Sequence, residues 1–169
     1  MIIMTRPLGR YLLIALFGVA AHASAATLYS FEQLQATSQP QPPPAAIRTA
    51  LAESEAAKLR DCQQQLGASD EQMASYFTAV KVDLGGATPP ALLVLPTKYC
   101  YAFIGARAIS FWLFLNAPAQ PPKLVMSGRR EALQVLDSSS HGLPDLAVFY
   151  GSKSIQYQYD GERYTSTSE

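Results

Sequence analysis

From Tyr76 onward, short apolar runs follow one another at intervals too brief to hold crossover helices. Tyr76, Thr78, Val80, Val82 and Leu84 alternate with Phe77, Ala79, Lys81 and Asp83, the period of two of a half-buried strand. Gly85-Gly86 and Pro89-Pro90 punctuate a turn before the apolar run Ala91 to Leu95. Further strands are predicted over Tyr101–Ile104, Ala108–Leu115, Lys123–Met126, Ala132–Leu136, Leu146–Tyr150 and Ser154–Tyr159, with a last short one over Arg163–Thr167. Parallel neighbours would need a crossover of a dozen residues or more, so these strands must pair antiparallel. Phe111-Trp112-Leu113-Phe114-Leu115 is apolar on both faces and is expected at the centre of a sheet. Tyr150, Tyr157, Tyr159 and Tyr164 read as cross-strand packing, and Asp160-Gly161 as a two-residue hairpin turn.

Ahead of the strands, Ala45 to Leu66 is rich in Ala, Leu, Glu, Lys and Gln, follows prolines, and stops at Gly67, the residue favoured just past a helix end. Ile47, Leu51, Leu59, Cys62 and Leu66 share one arc of the predicted helix, with Arg48 and Glu55 intruding on it. Ser69-Asp70-Glu71-Gln72 has the form of a capping box. The expected fold is α+β: one N-terminal helix packed on an antiparallel β-meander, as a sandwich or a partial propeller-like sheet, in a single domain spanning 45–169. Residues 26–44, with Gln39-Pro40-Gln41-Pro42-Pro43-Pro44, read as an extended lead-in; Leu28-Tyr29-Ser30-Phe31 before it reads as an edge strand.

Residues 1–25 carry the pattern of an export signal. Arg6 and Arg10 precede the apolar run Tyr11 to Ala21, and small residues follow in Ala21-His22-Ala23-Ser24-Ala25-Ala26. The run is shorter than the roughly 20 apolar residues of a stable membrane anchor. The expected product is periplasmic or secreted, with no membrane anchor once the signal is cut. Without Arg6 and Arg10 the chain holds 11 basic and 13 acidic residues, a formal charge of −2. Such a balance offers no basic field for nucleic acid. Arg129-Arg130 is expected in a solvated turn or strand edge. Cys62 and Cys100 suit an oxidising compartment, and a bridge between them would stabilise the fold by about 4 kcal/mol in the chain-entropy model.

One segment has the look of a motif. A strand-loop-strand calcium turn carries acidic or amide side chains at its first, third and fifth positions, glycine at the sixth and Asp at the ninth. Those positions here hold Asp137, Ser139, His141, Gly142 and Asp145, followed by Ala147-Val148-Phe149-Tyr150 and Tyr157-Gln158-Tyr159-Asp160-Gly161-Glu162-Arg163-Tyr164. Leu136 to Tyr164 thus resembles the FG-GAP/VCBS-type hairpin repeat, which also occurs singly in uncharacterised exported bacterial proteins. The resemblance implies a hairpin around Gly142. Family loops that bind calcium place oxygen-rich anionic groups where this chain has Ser139 and His141, so a metal is not expected on the two remaining carboxylates, Asp137 and Asp145.

Catalytic signatures are sparse. His22 leaves with the signal, so His141 is the one histidine left, and there is no Gly-x-Ser-x-Gly, His-Glu-x-x-His or phosphate-cradling loop. No cofactor is expected. The sequence reads as a non-enzymatic exported module of the protein-binding, inhibitor or immunity type, whose partner is an envelope or secreted protein. Ser138, Ser139, Ser140 and His141 are the candidate contact loop. The rival readings are an envelope hydrolase working through carboxylates and perhaps His141, and a degenerate calcium- or glycan-binding repeat unit.

Overall fold

A computed structural model describes residues 26–37, 41–69, 72, 75–85, 91–97, 100–117 and 119–167. The expected signal and the Gly86 to Pro90 part of the first turn lie outside these residues. Among the described residues, nine strands form two antiparallel sheets. One holds β2 (Phe77–Val82), β3 (Ala91–Pro96), β4 (Ile109–Leu115) and β5 (Lys123–Arg130), in that order. The other holds β1 (Leu28–Ser30), β6 (Ala132–Ser140), β7 (Leu143–Tyr150), β8 (Lys153–Tyr159) and β9 (Tyr164–Ser166), ordered β1-β6-β7-β8-β9. Apart from β1, each sheet is a simple meander, as short connections demand.

The expectation of one N-terminal helix is corrected to three among the described residues: α1 (Phe31–Thr37), α2 (Ala45–Ser54) and α3 (Ala56–Leu66). The strand expected through Phe31 ends at Ser30, because the Phe31 side chain is fully buried between the sheets while its N–H is taken by the Glu131 carbonyl at 3.0 Å. Past that anchor the chain turns into α1 over the end of the sandwich. The long helix breaks at Glu55, whose φ of −116° and ψ of 20° are not helical. Glu55 leaves the helix geometry so that its carboxylate Oε1 can accept the Trp112 indole N–H at 3.1 Å. The residue that intruded on the apolar arc is therefore the one at the break. Gly67 ends α3 at φ +61° with its N–H on Gln63 O, and Ser69 N–H donates to Gln72 Oε1 at 3.0 Å, the reciprocal bond of a capping box.

Two cores result. Leu93, Leu95, Phe111 and Leu113 from one sheet meet Leu133, Leu146 and Val148 from the other, with Phe31 closing one end. On the far face of the four-stranded sheet, Val94, Trp112 and Phe114 pack with Phe77 and Phe103 under Ile47, Leu51, Leu59 and Cys62 of the helices. β4 lies between β3 and β5 with alternate side chains feeding both cores, which is why its run is apolar throughout. Burial of this order dominates folding, at roughly 1.5–3 kcal/mol per large side chain.

Cys62 and Cys100 are bonded, with Cα atoms 5.4 Å apart and both residues fully buried, fastening α3 to the segment before Tyr101. That segment departs from expectation. Tyr101–Phe103 is a 3₁₀ turn, and only Ile104 bridges to Ile109. The disulfide and the buried Phe103 pull the chain toward the helices, off the path of a strand.

The proline-rich lead-in also has a structural task. Gln41 O accepts the Ala79 N–H at 2.9 Å along the outer side of β2, Pro43 is buried, and Arg48 Nη1 donates to Pro43 O. The segment covers one edge of the four-stranded sheet.

Candidate functional site

Between Arg130 and Ala132 the chain leaves one sheet and enters the other, with Glu131 alone as the connection. Glu131 is locked in place by both backbone and side chain. Its N–H donates to Phe149 O at 2.8 Å, its O accepts from Phe31 N, and its Oε2 accepts the Gly151 N–H at 2.9 Å. Gly151 turns β7 into β8 at φ +58°, a conformation glycine adopts without penalty.

Neighbours on an extended chain point opposite ways, so this corner separates two openings. Glu131 lines a cleft of about 730 Å³ with Leu28, Glu32, Arg107 and Phe149. Arg130 lines a second cleft, about 460 Å³, with Val148, Tyr150, Lys153, Ser154 and Ile155. Val148 and Ile155 give the second cleft an apolar floor; Arg130, Lys153 and the 52% exposed Tyr150 form its rim. No acidic residue lines it, and neither Arg130 nor Lys153 has an ion-pair partner among the described residues. Arg129 is held separately, its Nε donating to Ala108 O while the guanidinium lies over Gly105. A β-carbon at Gly105 would come within 2.7 Å of Arg129 Nη2.

The residues expected to form a contact loop sit elsewhere. Ser138, Ser139 and Ser140 belong to β6, which runs on to pair Ser140 with Leu143, and His141-Gly142 alone make the turn. The stretch expected as a loop from Asp137 to Asp145 is thus strand, turn and strand. His141 has φ +49° and Gly142 φ +84°, the left-handed pair a tight hairpin needs. His141 Nδ1 lies 2.8 Å from Tyr159 O, and since a carbonyl only accepts, that nitrogen carries the proton.

The calcium-loop positions differ in exposure and commitment. Asp137 and Ser139 are exposed in β6, His141 Nδ1 is committed to a carbonyl, and Asp145 is 5% exposed with Oδ1 lacking a hydrogen-bond partner. No group of three or more His, Cys, Asp and Glu that could hold a metal exists among the described residues. These side chains do not fit a calcium ion. Asp145 acts instead on Tyr164: burial first, then the Asp145 charge and Tyr159, push the Tyr164 phenol well above its ordinary value. The neutral hydroxyl donates to Pro144 O at 2.9 Å.

Trp112 is buried, edge-on to Phe77 and Phe103 in the helix-side core. The cleft residues Arg107, Glu131, Tyr150 and Lys153 carry no sequence motif. The adjacent Arg129-Arg130 pair was the one signal within reach, and it marks the end of β5.

The fold defines a two-sheet antiparallel sandwich whose four-stranded sheet is roofed by a disulfide-tied helix pair. Comparison with protein-family models, with curated proteins and with solved structures finds no match for the chain.

Proposed function

We propose that this chain is an exported, non-enzymatic protein-binding module of the inhibitor or immunity type, acting on an envelope or secreted partner. The observation that carries the reading is the composition of the crossover corner. Leu28, 58% exposed, stands in the open beside Arg107 in one cleft, and Tyr150 beside Arg130 and Lys153 in the other, the three cations without an ion-pair partner among the described residues. Exposed Tyr and Arg against an apolar floor are the residue types that anchor protein interfaces. The buried disulfide supports an oxidising compartment, and no helix among the described residues is long and apolar enough to cross a membrane.

A photo-crosslinking residue at Tyr150, expressed in the native host, tests this. A defined adduct at Tyr150, absent when the same residue replaces the exposed Gln156, is the expected result. Equal labelling at both positions, or none at either, refutes the reading.

The envelope-hydrolase reading has one observation in its favour: two carboxylates, Glu32 and Glu131, line the larger cleft. Glu131 is already committed to Gly151, and that bond ties it to holding the turn. Turnover of cell-wall or glycan substrates abolished by Glu32→Gln would revive the enzyme.

A further inference from the structure

The two outer edges of the four-stranded sheet are treated differently. Along β2, the Gln41 carbonyl takes the Ala79 N–H. Along β5, no backbone-to-backbone hydrogen bond among the described residues reaches the outer side, and at its end the Arg129 carbonyl accepts from Arg130 Nη1 at 2.8 Å. Natural edge strands carry charges, bulges or covers that discourage pairing. β5 has a bulge opposite Leu113/Phe114, which interrupts it near Val125, and leaves Met126 to Arg130 as a regular stretch. That stretch ends in Arg129-Arg130.

The facing sheet has five strands against four, and Ile155 and Tyr157 of β8 are only partly buried against the core. Beside the end of β5 lies the cleft floored by Val148 and Ile155 and rimmed by Arg130, Lys153 and Tyr150. The position where a further strand would lie thus has an edge without a backbone neighbour on one side, half-covered apolar side chains beneath, and at one end two cations outside any ion pair among the described residues.

We propose that β5 receives an extended acidic segment of a partner protein, which adds as a strand beside Met126 to Arg130 and lodges a carboxylate between Arg130 and Lys153. The inference rests on the protein-binding reading above and names its surface. An extended peptide fits because the edge offers main-chain donors and acceptors, the recognition mode of strand addition. Alternate side chains of such a strand would face Ile155 and the solvent in turn, so an alternating acidic and apolar pattern suits it. Charge sets its polarity. Arg129, Arg130 and Lys153 gather at one end of β5, whereas Lys123 at the other lies over the Tyr159 ring, beside the turn bearing Asp160 and Glu162. Glu131, next to Arg130, faces the other cleft. The chain's formal −2 without Arg6 and Arg10 argues against a polyanion such as nucleic acid, which binds through many cations at once.

The test titrates the full mature protein with a short peptide alternating glutamate and valine, its lysine–valine counterpart, inorganic phosphate, and vesicles containing anionic phospholipid. Amide exchange and backbone NMR shifts provide the readout. The acidic peptide is expected to bind at micromolar to millimolar strength, to slow exchange along Met126 to Arg130, and to lose at least tenfold in affinity in the Arg130→Glu/Lys153→Glu variant. That variant should keep the melting temperature, because both side chains lie at a rim. Absence of binding up to millimolar peptide overturns the proposal, as does equal binding of the lysine peptide. Phosphate or vesicles shifting the same residues while the peptide does not would show an anion site without strand addition, and also overturns it. A Tyr150 crosslink that persists when the peptide fails would leave the protein-binding reading standing and remove only this docking mode.

Discussion

Trp112 Nε1 donates to Glu55 Oε1 at 3.1 Å, joining the central strand of one sheet to the break between two helices 57 residues away in sequence. The same carboxylate holds Lys58 through Oε2 at 2.8 Å, and the Glu55 side chain is only 17% exposed. Hydrogen bonds to charged groups contribute roughly 1.5–3 kcal/mol. Trp112→Phe is therefore expected to cost about 2 kcal/mol, and Trp112→Ala about 4 kcal/mol once the cavity is added. Urea denaturation followed by circular dichroism measures both. Trp112 is the one tryptophan of the chain, so Glu55→Ala should also shift the emission of the folded protein. Unchanged emission would show that the indole has no partner in solution.

The disulfide offers a second measurement. Replacing Cys62 and Cys100 by alanine should lower stability by about 4 kcal/mol, and reducing the native bond should lower it by a similar amount. Native protein should show no reactive thiol before reduction. Two thiols titrating in the native state would contradict the bridge.

Tyr164 sets an alkaline limit. Its phenol is raised above the ordinary 10.0 by burial, with help from Asp145 and Tyr159, so the folded state holds its proton more tightly than the unfolded chain does. The stability this contributes is complete below pH about 10 and disappears as the pH rises toward the folded value. Melting temperature should fall through that range, and Tyr164→Phe should flatten the fall while costing about 1 kcal/mol at neutral pH for the bond to Pro144 O. Asp145→Asn should let phenolate absorbance develop at lower pH than in the native protein.

The His141-Gly142 turn separates folding from contact. His141 sits at φ +49°, where Asn is comfortable and a β-branched residue is strained. His141→Asn should fall within about 0.5 kcal/mol of the native protein, and His141→Val should cost about 1–2 kcal/mol. If both substitutions prove silent in thermal melts, the hairpin is looser than its geometry implies.

Calcium should leave the protein unmoved. With Asp137 exposed and Asp145 buried, millimolar calcium is expected to produce neither heat in a titration nor a rise in melting temperature. A saturable rise would mean the two carboxylates do come together.

What could be read from the chain was local. The central place of β4 followed from five consecutive apolar residues, and the Asp160-Gly161 turn from its dipeptide. In the fold Gly161 takes φ +101°, and Asp160 Oδ1 accepts the N–H groups of Arg163 and Glu162 at 2.8 Å each, which hold its carboxyl below the usual range. The helix over Ala45–Leu66 was legible except at Glu55, since its break answers a tryptophan far along the sequence. The passage between sheets at Glu131 was not legible, because it depends on which distant strands pair, and Ser127 to Glu131, without an apolar side chain, reads like any solvated strand end. The clefts were illegible for the same reason: their walls come from segments as distant as Leu28 and Gly151.

Parity along the backbone gives the single-residue passage at Glu131 a final meaning. One residue inserted there would rotate every later side chain of that strand to the opposite face, and Leu133, fully buried between the sheets, would turn outward. Length at that point is consequently under tighter constraint than residue type, and a one-residue insertion should be tolerated far less well than substitution of Arg130 or Glu131.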